Sequence, residues 1–266
     1  MTEDKGALTG RRALVTGSTG GLGLAIADAL AGAVCDVVLH GLCDPAEAEA
    51  ARAGIEAAHE VRALFHGADL ARPSEIEDLA AMVTAEFGGI DILVNNAVVR
   101  QFGPIEEMAV EGWDRSVAVN LTAAFHTIRL ALPGMRARGF GRIVNVSSIY
   151  GLIGAANRAD YVTTKTALIG LTRAVALETA TLDITCNAIC PATIPTPAIT
   201  ERIRGLAEES GMSEEEATRD YLATRQPSRR FIAPEGVAAT ILFLCGPGGR
   251  DITGAALPLD GAWSVS

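Results

Sequence analysis

Lysine is nearly absent from this chain. Of its 22 basic residues only Lys5 and Lys165 are lysine, and arginine supplies the rest. Positive charge is also short overall. A formal net charge of −10 leaves no general basic face, which argues against nucleic acid or an anionic membrane as a partner. A small anionic substrate held by a few local arginines remains compatible with that balance. No apolar run approaches the roughly 20 residues that cross a bilayer. The opening stretch MTEDKGALTGRR lacks the apolar core of a secretory leader, so a cytoplasmic location is expected, with the five cysteines as reduced thiols. Metal-ligand spacing is missing too. Cys186 and Cys190 lie in DITCNAIC, an extended pattern that separates them by roughly 13 Å, too far to share one ion. His40, His59, His66 and His126 show no ligand spacing, and no metal site is expected.

What is present is the composition of a soluble globular protein, 49% hydrophobic and 20% charged over 266 residues. Short apolar runs at 12–17, 36–41, 62–67, 90–97, 141–148 and 184–191 predict buried strands, with a last strand near AALPLDG. Between them, GLGLAIADALAGA, PSEIEDLAAMVTAEFG, the stretch from Trp113 to Arg138, YVTTKTALIGLTRAVALETA and PEGVAATILFLCG carry apolar residues at helical spacing. That alternation predicts an α/β fold of the Rossmann type, a doubly wound parallel sheet with helices on both faces. With no Pro-, Gly- or Ser-rich linker, residues 1–266 read as a single domain. A polar, arginine-bearing insertion over about 195–230 reads as a small helical lid over the substrate.

VTGSTGGLGLAIADAL joins the first strand to the first helix. Gly17, Gly21 and Gly23 remove side chains where backbone amides must approach a phosphate, and a helix N-terminus follows. Strand, turn and helix in that order predict a dinucleotide site. The second strand ends in LHGLCD, without an arginine to hold a 2′-phosphate, and this favours NAD. The usual acidic ribose ligand is also missing there, unless Asp44 reaches back.

The TGxxxGxG spacing resembles the signature of the short-chain dehydrogenase/reductase family. Asp69 in GADL, the NNA of 95–97, Asn120 in VNLTAAF, Ser148 ending NVSS, and YVTTK support that resemblance along essentially the whole chain. It implies catalytic roles for Asn120, Ser148, Tyr161 and Lys165. It also implies cofactor contacts from Gly17, Thr19, Gly21, Leu22, Gly23, Asp69, Leu70, Asn96, Tyr161, Lys165, Pro191, Ile194 and Thr196, and a homotetramer. The chemistry of the pair is clear from first principles. A free tyrosine, with a pKa near 10, is a poor base at neutral pH. A compact ammonium four residues along the helix shares its face and favours the phenolate, which a forked guanidinium would do less well. Ser148 would hydrogen-bond the substrate oxygen. Asn120 would hold a water leading from Lys165 to solvent. Ser147 reads as a strand-end residue, and Asp160 and Glu178 as solvated.

Within the family the chain is most similar to bacterial D-3-hydroxybutyrate dehydrogenases, through HGADL, GFGRIVNVSS, ALETATLDITCNAICP, RQPS and LDGAW. The positions that would grip the substrate carboxylate read Arg100, Tyr150, Arg158 and Arg202, all departures from the usual set. Val98 and Ala192 add bulk where glycine is usual, and Trp263 could wall the pocket. The resemblance therefore implies an NAD-dependent dehydrogenase of a small anionic hydroxy acid. A dianionic or sulfonate-bearing hydroxy compound, or an NADPH-dependent ketoacyl-type reductase, are the alternatives.

Overall fold

The computed structural model describes residue 6 and residues 8–266; residues 1–5 and 7, Lys5 among them, lie outside the described residues. Seven strands form one sheet: β1 (Arg12–Val15), β2 (Asp36–His40), β3 (Ala63–His66), β4 (Ile92–Asn95), β5 (Gly141–Val146), β6 (Ile184–Pro191) and β7 (Ala256–Leu259). Their order is β3-β2-β1-β4-β5-β6-β7, and every neighbouring pair is parallel. β4, β5 and β6 are buried at every residue, as strands covered on both faces must be.

Side chains alternate across that sheet. Val15, Val37, Leu39, Val94 and Val144 enter one cluster with Ile26 and Leu30 of α1 (Gly21–Gly32) and Ile241 of α9 (Pro234–Cys245). Leu14, Val38, Leu93 and Ile143 enter another on the opposite face. There they meet α3 (Pro73–Phe87), α5 (Ala123–Arg138) and α6 (Ala159–Thr179) through Leu79, Ile128 and Val175. Truncating the wholly buried Leu93 to alanine would cost about 2–5 kcal/mol. Strand order reverses between β1 and β4, so a crevice opens beyond their carboxyl ends, the ordinary ligand site of such a sheet.

Two elements differ from the sequence reading. A helix, α2 (Pro45–His59), stands where none was anticipated. Its face is mostly alanine and glutamate and buries only Ala48 and Ile55, so no apolar period marks it. The pattern from Trp113 to Arg138 is also interrupted. α4 (Val110–Val117) passes through a π-helical turn, Ala118–Thr122, before α5 begins. After β6, α7 (Pro197–Ser210) and α8 (Glu214–Ala223) pack on each other through Ile203, Ala207 and Ala217. Gln226 returns this pair to the sheet, accepting a 2.6 Å hydrogen bond from the Thr193 N–H.

Candidate active site

The turn after β1 is built without side chains. Gly17 has φ +63°, a left-handed conformation, and a β carbon there would stand 2.9 Å from the Ala97 Cα. A β carbon on Gly23 would overlap the Gly17 carbonyl. Asn96 ties the turn to β4, its Nδ2 donating to the Thr16 and Gly17 carbonyls at 2.9 and 2.8 Å. α1 then starts with no side-chain cap and no acid in its first turn, which leaves its N-terminal amides open to an anion. Together the bare glycine cradle and the uncapped helix fit the pyrophosphate of a dinucleotide.

His40, not singled out from the sequence, locks the same turn. Its Nδ1 accepts from the Gly17 N–H at 3.1 Å, and its Nε2 lies 2.9 Å from the Ala68 carbonyl. An acceptor Nδ1 requires the proton on Nε2, so the ring is neutral, and burial pushes its pKa down accordingly. Only the position of His40 at the end of β2 hinted at this role.

One cavity of about 660 Å³ runs from this turn into the substrate region. Gly17, Gly21, Leu22, Gly23, Asp69, Leu70, Asn96, Pro191, Ile194 and Thr196 all line it. So do Ser148, Tyr161, Lys165, Arg100, Tyr150, Arg158 and Arg202. Thr19 and Asn120 are not among the lining residues. The Thr19 side chain lies against Gly41, where an added β carbon would stand 2.7 Å from its Oγ1. Asp69 accepts from the Ala71 N–H at 3.0 Å and pairs with Arg115 at 3.4 Å, and these hold its carboxyl below the ordinary range. Asp44 caps α2 through the Ala46 N–H at 2.8 Å, a local use of its carboxylate.

Tyr161 and Lys165 lie one turn apart on α6, both buried. The Lys165 Nζ donates to the Val146 carbonyl at 2.7 Å and stands 5.6 Å from the centre of the Tyr161 ring. Burial, and then the Arg100 guanidinium, push its pKa from 10.5 down to about 7. The Ser148 Oγ accepts from the Tyr150 N–H at 3.2 Å, which leaves its proton for another acceptor. Ser147 donates to the Lys165 carbonyl at 2.8 Å, fastening α6 to the end of β5.

Asn120 and Asp160 both tie distant segments together. The Asn120 side chain closes on Val99, accepting from its N–H at 2.8 Å and donating to its carbonyl at 2.9 Å. It therefore clamps the π turn to the loop after β4. Asp160 is wholly buried, not solvated. It accepts from the Ser116 Oγ at 2.6 Å and the Gln101 N–H at 3.1 Å, joining α4, α6 and the Arg100 loop. Glu178 is exposed, as anticipated.

At the far end of the cavity the rings stack edge to face, Tyr150 lying 6.3 Å from Tyr161 and 5.6 Å from Trp263. Val98 and Ala192 also line the cavity, as do Arg225 and Tyr221 of the α7–α8 region, which the sequence reading had left aside.

The sequence profile of the short chain dehydrogenase family matches residues 11–206. A D-beta-hydroxybutyrate dehydrogenase of Cupriavidus necator is 43% identical over 258 residues, 96% of this chain and 98% of that one. Its namesake from Rhizobium meliloti is 42% identical, covering 96% and 99%. Among solved structures, L-sorbose reductase from Gluconobacter frateurii, complexed with NADPH and L-sorbose, superposes with a TM-score of 0.92. That enzyme is 31% identical, with 99% of this chain and 100% of that chain covered. The chain belongs to the short chain dehydrogenase family, and it is an oxidoreductase acting on hydroxy groups.

Proposed function

We propose that this short chain dehydrogenase uses NAD to interconvert a small anionic hydroxy acid, of the 3-hydroxybutyrate kind, and its keto acid. The observation that carries the reading is the meeting of Ser148, Tyr161 and Lys165 with Arg100, Arg158 and Arg202 along one cavity. When bound, the dinucleotide supplies the hydride acceptor for oxidation and the donor for reduction. Tyr161, as phenolate, takes the proton from the substrate hydroxyl. Ser148 donates a hydrogen bond to the substrate oxygen as negative charge grows there.

Lys165 supplies the compensating charge. Its ammonium is costly in a closed pocket, which is why its pKa falls to about 7. A negative charge developing beside it in the reaction favours the charged form again. Asn120 holds the bend in the α4–α5 region that lets the loop carrying Arg100 reach the site. Arg100, Tyr150, Arg158 and Arg202 bind and orient the anion, and α7 with α8, a lid over about 195–230, closes on it.

The preference for NAD rests on the end of β2, where Gly41 and Leu42 line the cavity without a basic side chain, while Arg115 is engaged by Asp69. Exposed Leu177, Phe243 and Val265 suit the subunit contacts of a homotetramer, which light scattering tests. The deciding experiment follows reduced-nucleotide formation by purified protein with (R)- and (S)-3-hydroxybutyrate, malate and sulfolactate, each with NAD⁺ and NADP⁺. Turnover of at least one hydroxy acid with NAD⁺ preferred supports the reading. NADP⁺ preferred with every substrate would overturn its cofactor half, and no turnover of any of them its hydroxy-acid half.

A further inference from the structure

Eleven of the twenty arginines pair with a carboxylate. Arg12 and Arg138 bracket the buried Asp91, Arg142 meets Asp183, and Arg52, Arg129 and Arg219 each pair with glutamates. Four arginines on the cavity wall, Arg100, Arg158, Arg202 and Arg225, have no carboxylate within 4.0 Å among the described residues. Among the described residues the one acid lining the same cavity, Asp69, is already paired with Arg115. Arg11, Arg136, Arg173, Arg229 and Arg230 also lack a carboxylate partner among the described residues but lie outside this cavity, which alone collects four such arginines in a chain with 32 acidic residues.

The four form two groups. Arg100 stands 5.1 Å from the ring centre of the reacting Tyr161, while Arg158 lies 4.3 Å over the Phe102 ring and 5.7 Å from that of Tyr150, which itself packs on Tyr161. Arg202, from α7, and Arg225, just after α8, instead flank Tyr221 at 5.8 and 4.4 Å. Arg225 also donates to the Tyr221 carbonyl at 2.7 Å, which holds its guanidinium in place. A monocarboxylate answers one group. It leaves the other as uncompensated positive charge in a site that excludes water on closing.

We propose that the substrate is a dianion, with one anionic group on Arg100 and Arg158 and a second on Arg202 and Arg225. The inference rests on the dehydrogenase reading for its chemistry, but its binding test does not need turnover. The second anion is an oxyanion, carboxylate or sulfonate. Arg202 and Arg225 then set specificity, and the α7–α8 pair closes only on a ligand that neutralises both groups.

The test is calorimetric titration of dicarboxylates of three to six carbons, each against the monocarboxylate of equal length, onto protein saturated with NAD⁺. 3-Sulfopropionate is an added arm that separates the two oxyanions. The best dianion should bind at least about tenfold more tightly than its monoanion. Arg202→Ala and Arg225→Gln, checked for an unchanged melting temperature, should each bring that ratio toward one, and Arg202→Lys should restore part of it. Equal affinity throughout the series overturns the proposal. So does a ratio that survives both variants, or variants that weaken NAD⁺ binding and leave the ratio intact. Dianion selectivity without turnover of any hydroxy acid would remove the dehydrogenase reading and leave this one standing.

Discussion

The ammonium of Lys165 is held at 2.7 Å by the Val146 carbonyl, at the end of strand β5, inside a wall that shuts out water. One hydrogen bond compensates poorly for that burial, and the proton of Lys165 becomes labile near neutral pH. The folded protein then binds fewer protons than the unfolded chain between about 7 and 10.5. Stability rises with pH wherever the unfolded state binds more protons. Relative to Lys165→Met, the ligand-free wild type should therefore gain stability as pH climbs through that window, with a flat difference on either side. Urea midpoints of the two proteins from pH 6 to 11 measure it; a constant difference would contradict the burial.

Arg100 is the second cause of that depression, after burial. Replacing it by glutamine removes a fixed positive charge and lets Lys165 keep its proton to higher pH. The lower edge of the same window should rise by about half a unit to one unit. The kcat/KM for the acid substrate should fall about tenfold or more with the lost grip. A window that stays in place would show that Arg100 acts on the substrate alone.

Asn120→Ala leaves the Val99 N–H and carbonyl without their partners in a part-buried place. The expected cost is about 1–3 kcal/mol of stability together with a lower kcat, because the loop that carries Arg100 loosens. Thermal melting and steady-state kinetics on one preparation test both. A fall in kcat with no change in melting would return Asn120 to a purely chemical role.

Leu42→Arg places a cation beside the open end of β2, where Leu42 is 62% exposed. The ratio of kcat/KM for NADP⁺ over NAD⁺ should rise about ten- to a hundredfold. An unmoved ratio would mean that the 2′ position lies elsewhere.

Much of this was legible in the residues because local chemistry and global fold agree. The strand runs are short and mostly apolar, and all seven strands stand where they were expected. The Gly17 and Gly23 positions have no room for any side chain. Tyr161 and Lys165 share a face by helical spacing alone. What escaped depended on contacts between distant segments. Nothing local marks the π turn at Asn120, which is held by Val99 from 21 residues away. His40 is identified by its bonds to Gly17 and Ala68, and neither is a side-chain pattern. Asp160 looked like a surface acid until Ser116 closed over it. α2 hid because it buries almost nothing apolar.

The central claim is that Tyr161 moves the proton, and the most direct test is Tyr161→Phe. NADH formation from the best hydroxy acid should proceed in the wild type at a kcat/KM of roughly 10⁴ M⁻¹s⁻¹ or more. It should fall at least about a thousandfold in the variant, with NADH still bound, as fluorescence titration would show. A phenylalanine variant that keeps its rate within tenfold would contradict the account.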